Sequence, residues 1–151
     1  EEIKKKNNKI KLHLIGKLQT NKVKFAVKLF DYIHSLDSEK LAKKIASFEN
    51  KNLKIFIQVN IGDEHQKSGI SANDLLEFYN YCKKLELNII GLMCIPPLDG
   101  DTKIYFKKML ELKKKYSFSE LSMGMSSDYL NALEFEASFI RIGSSIFGKR
   151  Y

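Results

Sequence analysis

Two loops near the C-terminus carry residue types that bind anions. Residues 122–127 (SMGMSS) follow one apolar run, and residues 143–145 (GSS) follow the next and enter a segment typical of a short helix. Glycine lets the backbone approach a ligand, hydroxyl groups donate hydrogen bonds, and free N–H groups at a helix start favour an anion. Either loop alone is equally well explained as an ordinary turn. The pair predicts a phosphate site.

Arg141 is a further candidate, because it lies between two isoleucines on an apolar run immediately before the second loop. A lone arginine in a strand most often extends its head to solvent or pairs with a carboxylate. Beside a phosphate loop it could instead hold a planar ligand. The residues alone leave both interpretations open.

Metal chemistry is not indicated. His13, His34 and His65 fall in different predicted units, and no pair has the helical i, i+4 spacing or the clustered cysteines of a zinc site. We therefore predict no metal site. Cys82 and Cys94 lie in apolar segments without C-x-x-C spacing, which predicts buried free thiols in a reducing compartment and, by default, the cytoplasm.

The elements that position these residues alternate along the chain. Asp37 is placed to cap a predicted helix over 38–49, and Ser71 with Asp74 resembles a capping box for a predicted helix over 72–84. Strands are predicted at 11–15, 32–36, 53–60, 89–95, 121–124 and 139–142. Helices are predicted at 22–30, 38–49, 72–84, 102–116 and near 128–135, followed by a turn or helix over 143–148. Such alternation predicts an α/β fold whose strands run parallel with right-handed crossovers.

Polar residues inside the apolar strands favour a barrel over an open sheet. His13, Gln58, Asn60 and Arg141 would be costly in a sheet covered on both faces, whereas in a barrel they can point into the lumen. In (β/α)8 TIM barrels, the phosphate site is typically built from the loops after strands 7 and 8. If the last two strands here are strands 7 and 8, the first strand of this chain is strand 3. We therefore expect 1–151 to be a single barrel domain that is incomplete here, with six strand–helix units and the first two strands missing.

Composition narrows the function classes. The net charge is +8, but 26 basic residues include arginine only at 141 and 150, and neither an arginine-rich surface nor aromatics interleaved with a basic groove appears. A solvated lysine surface is the simpler interpretation, so we expect no nucleic-acid partner. No apolar run approaches a membrane span, and residues 1–6 lack the apolar region of a signal peptide.

Several motifs occur here in an order that resembles a known family. They are residues 13–22 (HLIGKLQTNK), 58–61 (QVNI), 67–70 (KSGI), 91–93 (GLM), 121–128 (LSMGMSSD) and 141–148 (RIGSSIFG). Together they resemble the pyridoxal-phosphate homeostasis proteins, whose fold is similar to the barrel domain of alanine racemases. The resemblance runs from about Leu12 to the end.

The resemblance implies a cytoplasmic protein that binds pyridoxal 5′-phosphate (PLP), helps to control vitamin B6 and amino-acid pools, and has no established catalytic reaction. It also implies a monomer or weak homodimer when complete. The alternatives are a PLP-dependent amino-acid racemase and a barrel that binds another phosphorylated metabolite. By position, the residues that would contact the phosphate are Ser126, Gly143 and Ser144. Arg141 would face the pyridine nitrogen, and His13, Asn60 and Met93 would line the pocket.

One departure from the family concerns the lysine that holds PLP covalently. In the family that lysine ends the first barrel strand in a V-S-K-T-like segment, and the second strand ends in G-E-N; neither segment is present. We therefore expect this chain to be a fragment that begins after the second strand and lacks the covalent anchor. The family's arginine cannot accept a proton from the pyridine nitrogen, which weakens the ring as an electron sink and suits a carrier.

Overall fold

Among the residues that the structure describes, six parallel strands form one sheet in which each strand pairs with its neighbour in sequence. The computed structural model describes residues 7, 9–64, 66–97 and 100–148. The strands are β1 (His13–Leu14), β2 (Tyr32–Leu36), β3 (Lys54–Gln58), β4 (Ile89–Met93), β5 (Glu120–Met125) and β6 (Phe139–Arg141). All five pairings are parallel, including β3 with β4, so the predicted parallel sheet is confirmed.

Helices connect successive strands, as the sequence predicts. They are α1 (Val23–Leu29), preceded by a 3-10 turn at Thr20–Lys22, α2 (Glu39–Ala46), α3 (Leu75–Lys84), α4 (Thr102–Tyr116), α5 (Tyr129–Glu134) and α6 (Ser144–Phe147). The predicted bounds of β2 and α4 agree with the structure. Most other elements are shorter than predicted, because the apolar pattern of the sequence extends beyond the last regular backbone hydrogen bond of the element.

Two predicted helix caps are wrong in detail. Ser38, not Asp37, caps α2: its backbone is extended, and its hydroxyl oxygen accepts a hydrogen bond from the Leu41 N–H at 3.4 Å. Helix α3 begins at Leu75, not at residue 72. Ser71 and Asp74 bond to each other, with the Asp74 N–H donating to the Ser71 hydroxyl at 3.2 Å, and so close a turn ahead of the helix.

The main core lies between one face of the sheet and the helices. In β3, Ile55 and Ile57 are buried in this core, whereas Phe56 between them faces the opposite, concave side. Helix α2 contributes Leu41 and Ile45 to the same core. The alternation places every second strand residue on the concave face, where a barrel would have its lumen.

The sheet is strongly curled. Strands β2 and β5 are separated by two strands in the sheet order, yet His34 Nδ1 on β2 lies 2.8 Å from Ser122 Oγ on β5. Phe139 of β6 also packs against Phe56 of β3, with ring centroids 5.3 Å apart. Six parallel strands curled in this way make the partial TIM barrel that the sequence predicts, with its two edges at β1 and β6.

The predicted thiols are buried and free. Burial raises the pKa of both Cys82 and Cys94 to about 12, so both stay protonated at neutral pH. Within the described ranges, no helix is long and apolar enough to cross a membrane. The predictions that concern residues 1–6, His65 and Arg150 lie outside the described residues.

Candidate functional site

The end of β5 and the turn that follows it have a defined backbone conformation. Residues 122–125 of the predicted anion loop belong to β5, so only residues 126–128 form the turn, and the predicted start of that loop is wrong. Gly124 has φ +89°, and a Cβ there would lie 2.6 Å from the Ala132 Cβ, so only glycine fits. Asp128 then closes the turn, because its Oδ1 accepts a hydrogen bond from the Met125 N–H at 2.6 Å. The glycine conformation and this hydrogen bond define the backbone on both sides of Ser126.

Ser126 and the loop after β6 meet at the carboxyl ends of the last two strands. The Ser126 hydroxyl oxygen accepts hydrogen bonds from the N–H of Gly143 at 3.1 Å and of Ser145 at 3.4 Å. Gly143, Ser144 and Ser145 are exposed, and a Cβ on Gly143 would meet open space. Backbone donors and hydroxyl groups thus surround a solvent-accessible point next to α6, which suits an anion.

Arg141 donates hydrogen bonds to β5 and to the residue that follows β4. Its Nη1 donates to the carbonyl oxygen of Ser122 at 3.0 Å and to that residue's Oγ at 2.9 Å, and its Nη2 donates to the Cys94 carbonyl at 2.8 Å. All three acceptors are neutral, so a carboxylate pair does not explain this arginine. Burial lowers the pKa of the guanidinium, but its ordinary value is so high that the charge remains.

His34 links Arg141 to the far side of the sheet. Its Nδ1 bonds to the hydroxyl of Ser122, and its Nε2 lies 3.0 Å from Nδ1 of His13. Burial, followed by the nearby His13 and Arg141, lowers the pKa of His34 to about 3, so the ring is neutral at physiological pH. His34 was not predicted as a site residue, and Ser122 was predicted only as part of the anion loop 122–127. The signal was present: both are polar residues within otherwise apolar strands.

His13 ends this chain of contacts on β1. Its ring stacks on Tyr32 with centroids 4.1 Å apart and an interplanar angle of 6°. Burial lowers the pKa of His13, and Asp31 partly opposes that shift. The structure therefore brings His13 and Arg141, predicted from strands at opposite ends of the chain, into one hydrogen-bonded set.

Met93 and Asn60 occupy different surroundings. Met93 is 0% exposed at the end of β4 and lies in register with Gln58 on β3 and Ser122 on β5. Asn60 instead holds a loop: its Nδ2 donates to the Glu64 carbonyl at 3.0 Å, and its Oδ1 accepts from the Glu64 N–H at 3.2 Å. Both polar ends of Asn60 thus bond to the protein backbone.

No group of three or more His, Cys, Asp or Glu side chains that could hold a metal ion occurs in the part of the chain that the structure describes. The polar groups described here are hydroxyl groups and backbone N–H groups in the loops after β5 and β6, and the Arg141 guanidinium, the Ser122 hydroxyl and two imidazoles on the concave face.

A curled sheet of parallel strands joined by helices defines a protein of the (β/α) barrel class. The chain belongs to the alanine racemase N-terminal domain family, whose model matches residues 1–151, and within it to the pyridoxal phosphate homeostasis proteins.

Individual relatives and solved structures show the same family and fold. A pyridoxal phosphate homeostasis protein of Aquifex aeolicus is 40% identical over 91% of this chain, and the chain spans 66% of that relative's length. The solved structure of PipY from Synechococcus elongatus with PLP bound is 32% identical, with a TM-score of 0.83 over 97% of this chain and 74% of that one. Alanine racemase from Acinetobacter baumannii, 14% identical, matches 99% of this chain and 43% of its own with a TM-score of 0.76, which shows the shared fold alone.

Proposed function

We propose that this chain forms the larger part of a PLP-binding barrel that serves the intracellular homeostasis of PLP and of amino acids and catalyses no reaction of its own. One observation carries the proposal: the N–H groups of Gly143 and Ser145 both donate to the Ser126 hydroxyl oxygen. Gly143 lies two residues after Arg141, whose guanidinium is held by hydrogen bonds. The membership of the family and the PLP-bound relative PipY support the same ligand.

The residues present fit PLP. Ser126, Gly143 and Ser144 would hold its phosphate through hydroxyl and backbone donors, and the open space at Gly143 leaves room for phosphate oxygens. The structure accounts for three N–H bonds of Arg141, and a guanidinium carries five N–H groups. The remaining donors suit the pyridine nitrogen, which accepts a hydrogen bond when it is unprotonated. His13 and Met93 would line the ring pocket, while Asn60 would support it through the 60–64 loop.

Bound PLP supplies an aldehyde that reacts with amines and a ring that withdraws electrons. The chain's own residues bind and orient it. Because Arg141 can only donate a hydrogen bond, the pyridine nitrogen that faces it would stay unprotonated, which weakens the ring as an electron sink. This suits a carrier. We further propose that the carrier acts in the cytoplasm as a monomer or weak homodimer, without a nucleic-acid partner. The covalent lysine is proposed to lie outside 1–151.

Titration of the full-length protein with PLP, pyridoxal and inorganic phosphate tests this function. We expect PLP to bind far more tightly than pyridoxal, because only PLP engages the anion site, and phosphate to compete with PLP. Equal affinities for PLP and pyridoxal would contradict the phosphate site. A sugar phosphate that binds as well as PLP would favour a different phosphorylated metabolite.

Borohydride reduction of the PLP-loaded full-length protein, followed by peptide mapping, tests the absence of a covalent anchor from this chain. We expect no lysine within 1–151 to be labelled stoichiometrically. A single labelled lysine in this range would contradict that part of the proposal. Measurable racemisation of L-alanine would contradict the non-catalytic part.

A further inference from the structure

Four side chains from four strands form a continuous line of hydrogen bonds across the concave face. Arg141 Nη1 lies 2.9 Å from Ser122 Oγ, Ser122 Oγ lies 2.8 Å from His34 Nδ1, and His34 Nε2 lies 3.0 Å from His13 Nδ1. The line runs from β6 through β5 and β2 to β1. The proposed role of Arg141 does not by itself require the two histidines.

The direction of donation follows from the types of group. A guanidinium can only donate, so the Ser122 oxygen accepts from Arg141. Ser122 is 0% exposed, and a buried hydroxyl that fails to donate its own proton is costly. In the described structure its remaining neighbour is His34 Nδ1, which must therefore accept that proton.

The protonation of both histidine rings follows from this direction of donation. His34 is neutral, so if Nδ1 accepts, its single ring proton is on Nε2 and is donated to His13 Nδ1. His13 then carries its own proton on Nε2. Any other arrangement leaves the Ser122 hydroxyl without an acceptor or places two donors against each other.

We propose that Arg141, Ser122, His34 and His13 form one directional hydrogen-bond chain, and that Ser122 and His34 are positioning residues that hold the Arg141 guanidinium in the orientation in which it meets the ligand ring. The chain also fixes both histidines in the Nε2–H tautomer, so that His13 presents a donor and not an acceptor at the β1 edge of the site. The ligand-directed part rests on the proposed function, whereas the direction of the chain does not.

The tautomers are directly measurable by nitrogen-15 NMR of the ring nitrogens in full-length protein without PLP, near neutral pH. We expect His34 and His13 both to show an unprotonated Nδ1 and a protonated Nε2. A proton on Nδ1 of His34, or a doubly protonated His34 ring, would overturn the proposal. This measurement needs no variant and does not depend on PLP binding.

Substitutions then test whether the chain positions Arg141. Ser122→Ala removes the link, and we expect the Arg141 side-chain NMR signals to broaden or move and the absorbance maximum of bound PLP to shift. Ser35→Ala is the matched control, since Ser35 is a buried serine adjacent to His34 whose hydroxyl donates to the Gly16 carbonyl, outside the chain. It should leave both signals unchanged.

His34 provides a rescue experiment. His34→Leu removes both ring nitrogens, whereas His34→Asn keeps an acceptor near the position of Nδ1, so the asparagine variant should retain more of the wild-type Arg141 signals. Identical Arg141 spectra in Ser122→Ala and wild type would overturn the positioning role. If the wild-type protein fails to bind PLP, the proposed function is wrong. The histidine tautomers and the Arg141 signals still test whether the directional hydrogen-bond chain exists.

Discussion

The hydroxyl oxygen of Ser126 accepts a hydrogen bond at 3.1 Å from the N–H of Gly143, a residue 17 positions further along the chain and on a different strand's loop. This bond joins the loops after β5 and β6 and marks the point where their donors converge. An incoming phosphate would take over these N–H groups and accept from the Ser126 hydroxyl.

Ser126→Ala should therefore weaken PLP binding in the full-length protein. Hydrogen bonds to charged groups contribute roughly 1.5–3 kcal/mol each, so the loss of one donor should reduce affinity about tenfold, which corresponds to ~1.4 kcal/mol. A fluorescence or absorbance titration measures this. Ser127→Ala is the control, because this exposed neighbour lies in the same turn. Equal affinities of the two variants would argue against the assigned phosphate contact.

His34 should make stability depend on pH. Its pKa is lowered from 6.5 to about 3 in the folded protein, so between those values the unfolded state takes up a proton that the folded state does not. The contribution of His34 to the free energy of unfolding is thus fully present above pH 6.5 and is lost as the pH falls toward 3. The slope from this group is up to about 1.4 kcal/mol per pH unit.

Denaturant unfolding at several pH values compares wild type with His34→Asn, which lacks this titration. The difference in unfolding free energy between the two proteins should shrink as the pH falls through this window. A difference that stays constant from pH 7 to pH 4 would show that His34 is not held neutral.

Gly124→Ala should destabilise the fold. The new Cβ would meet the Ala132 Cβ at 2.6 Å, and φ +89° disfavours any side chain. We expect a loss of roughly 1–3 kcal/mol in the free energy of unfolding, in the range of strained backbone positions. Gly16→Ala serves as the control, since its Cβ would meet nothing within 4 Å. Equal stability of both variants would contradict the described turn.

The edges of the sheet should govern association of residues 1–151 expressed alone. Strands β1 and β6 have no partner on their outer sides among the described residues, and exposed edges template pairing with other chains. Ile140 on β6 is 38% exposed and Phe147 beyond it 85% exposed. We expect 1–151 to be unstable or associated in analytical ultracentrifugation, and Ile140→Lys to reduce association. A monomer that unfolds cooperatively with a high midpoint would contradict this.

Most of the elements are predictable from the sequence because they depend on local patterns. Their alternation in turn predicts parallel pairing. The β-branched alternation of β3 and the long periodic segment of α4 each specify their element within a few residues. The caps are harder, since Asp37 and Ser38 are adjacent and both are good N-cap residues. Only the backbone conformation at Ser38 decides between them.

The link between His34 and Ser122 could not be predicted from local pattern. The two residues lie 88 positions apart, and they meet only because the sheet curls enough to bring β2 to β5. His13 and Arg141 were selected from their polarity within apolar strands, and His34 has the same character. What the pattern lacks is the curvature that turns separate polar residues into one network.

A crystal structure of the full-length protein with PLP is the most direct test of the account. We predict that the phosphate lies within hydrogen-bond distance of the Ser126 hydroxyl and of the N–H groups of Gly143 and Ser144, with the ring nitrogen facing Arg141. A phosphate bound elsewhere in the barrel, or a ring nitrogen facing a carboxylate, would contradict it.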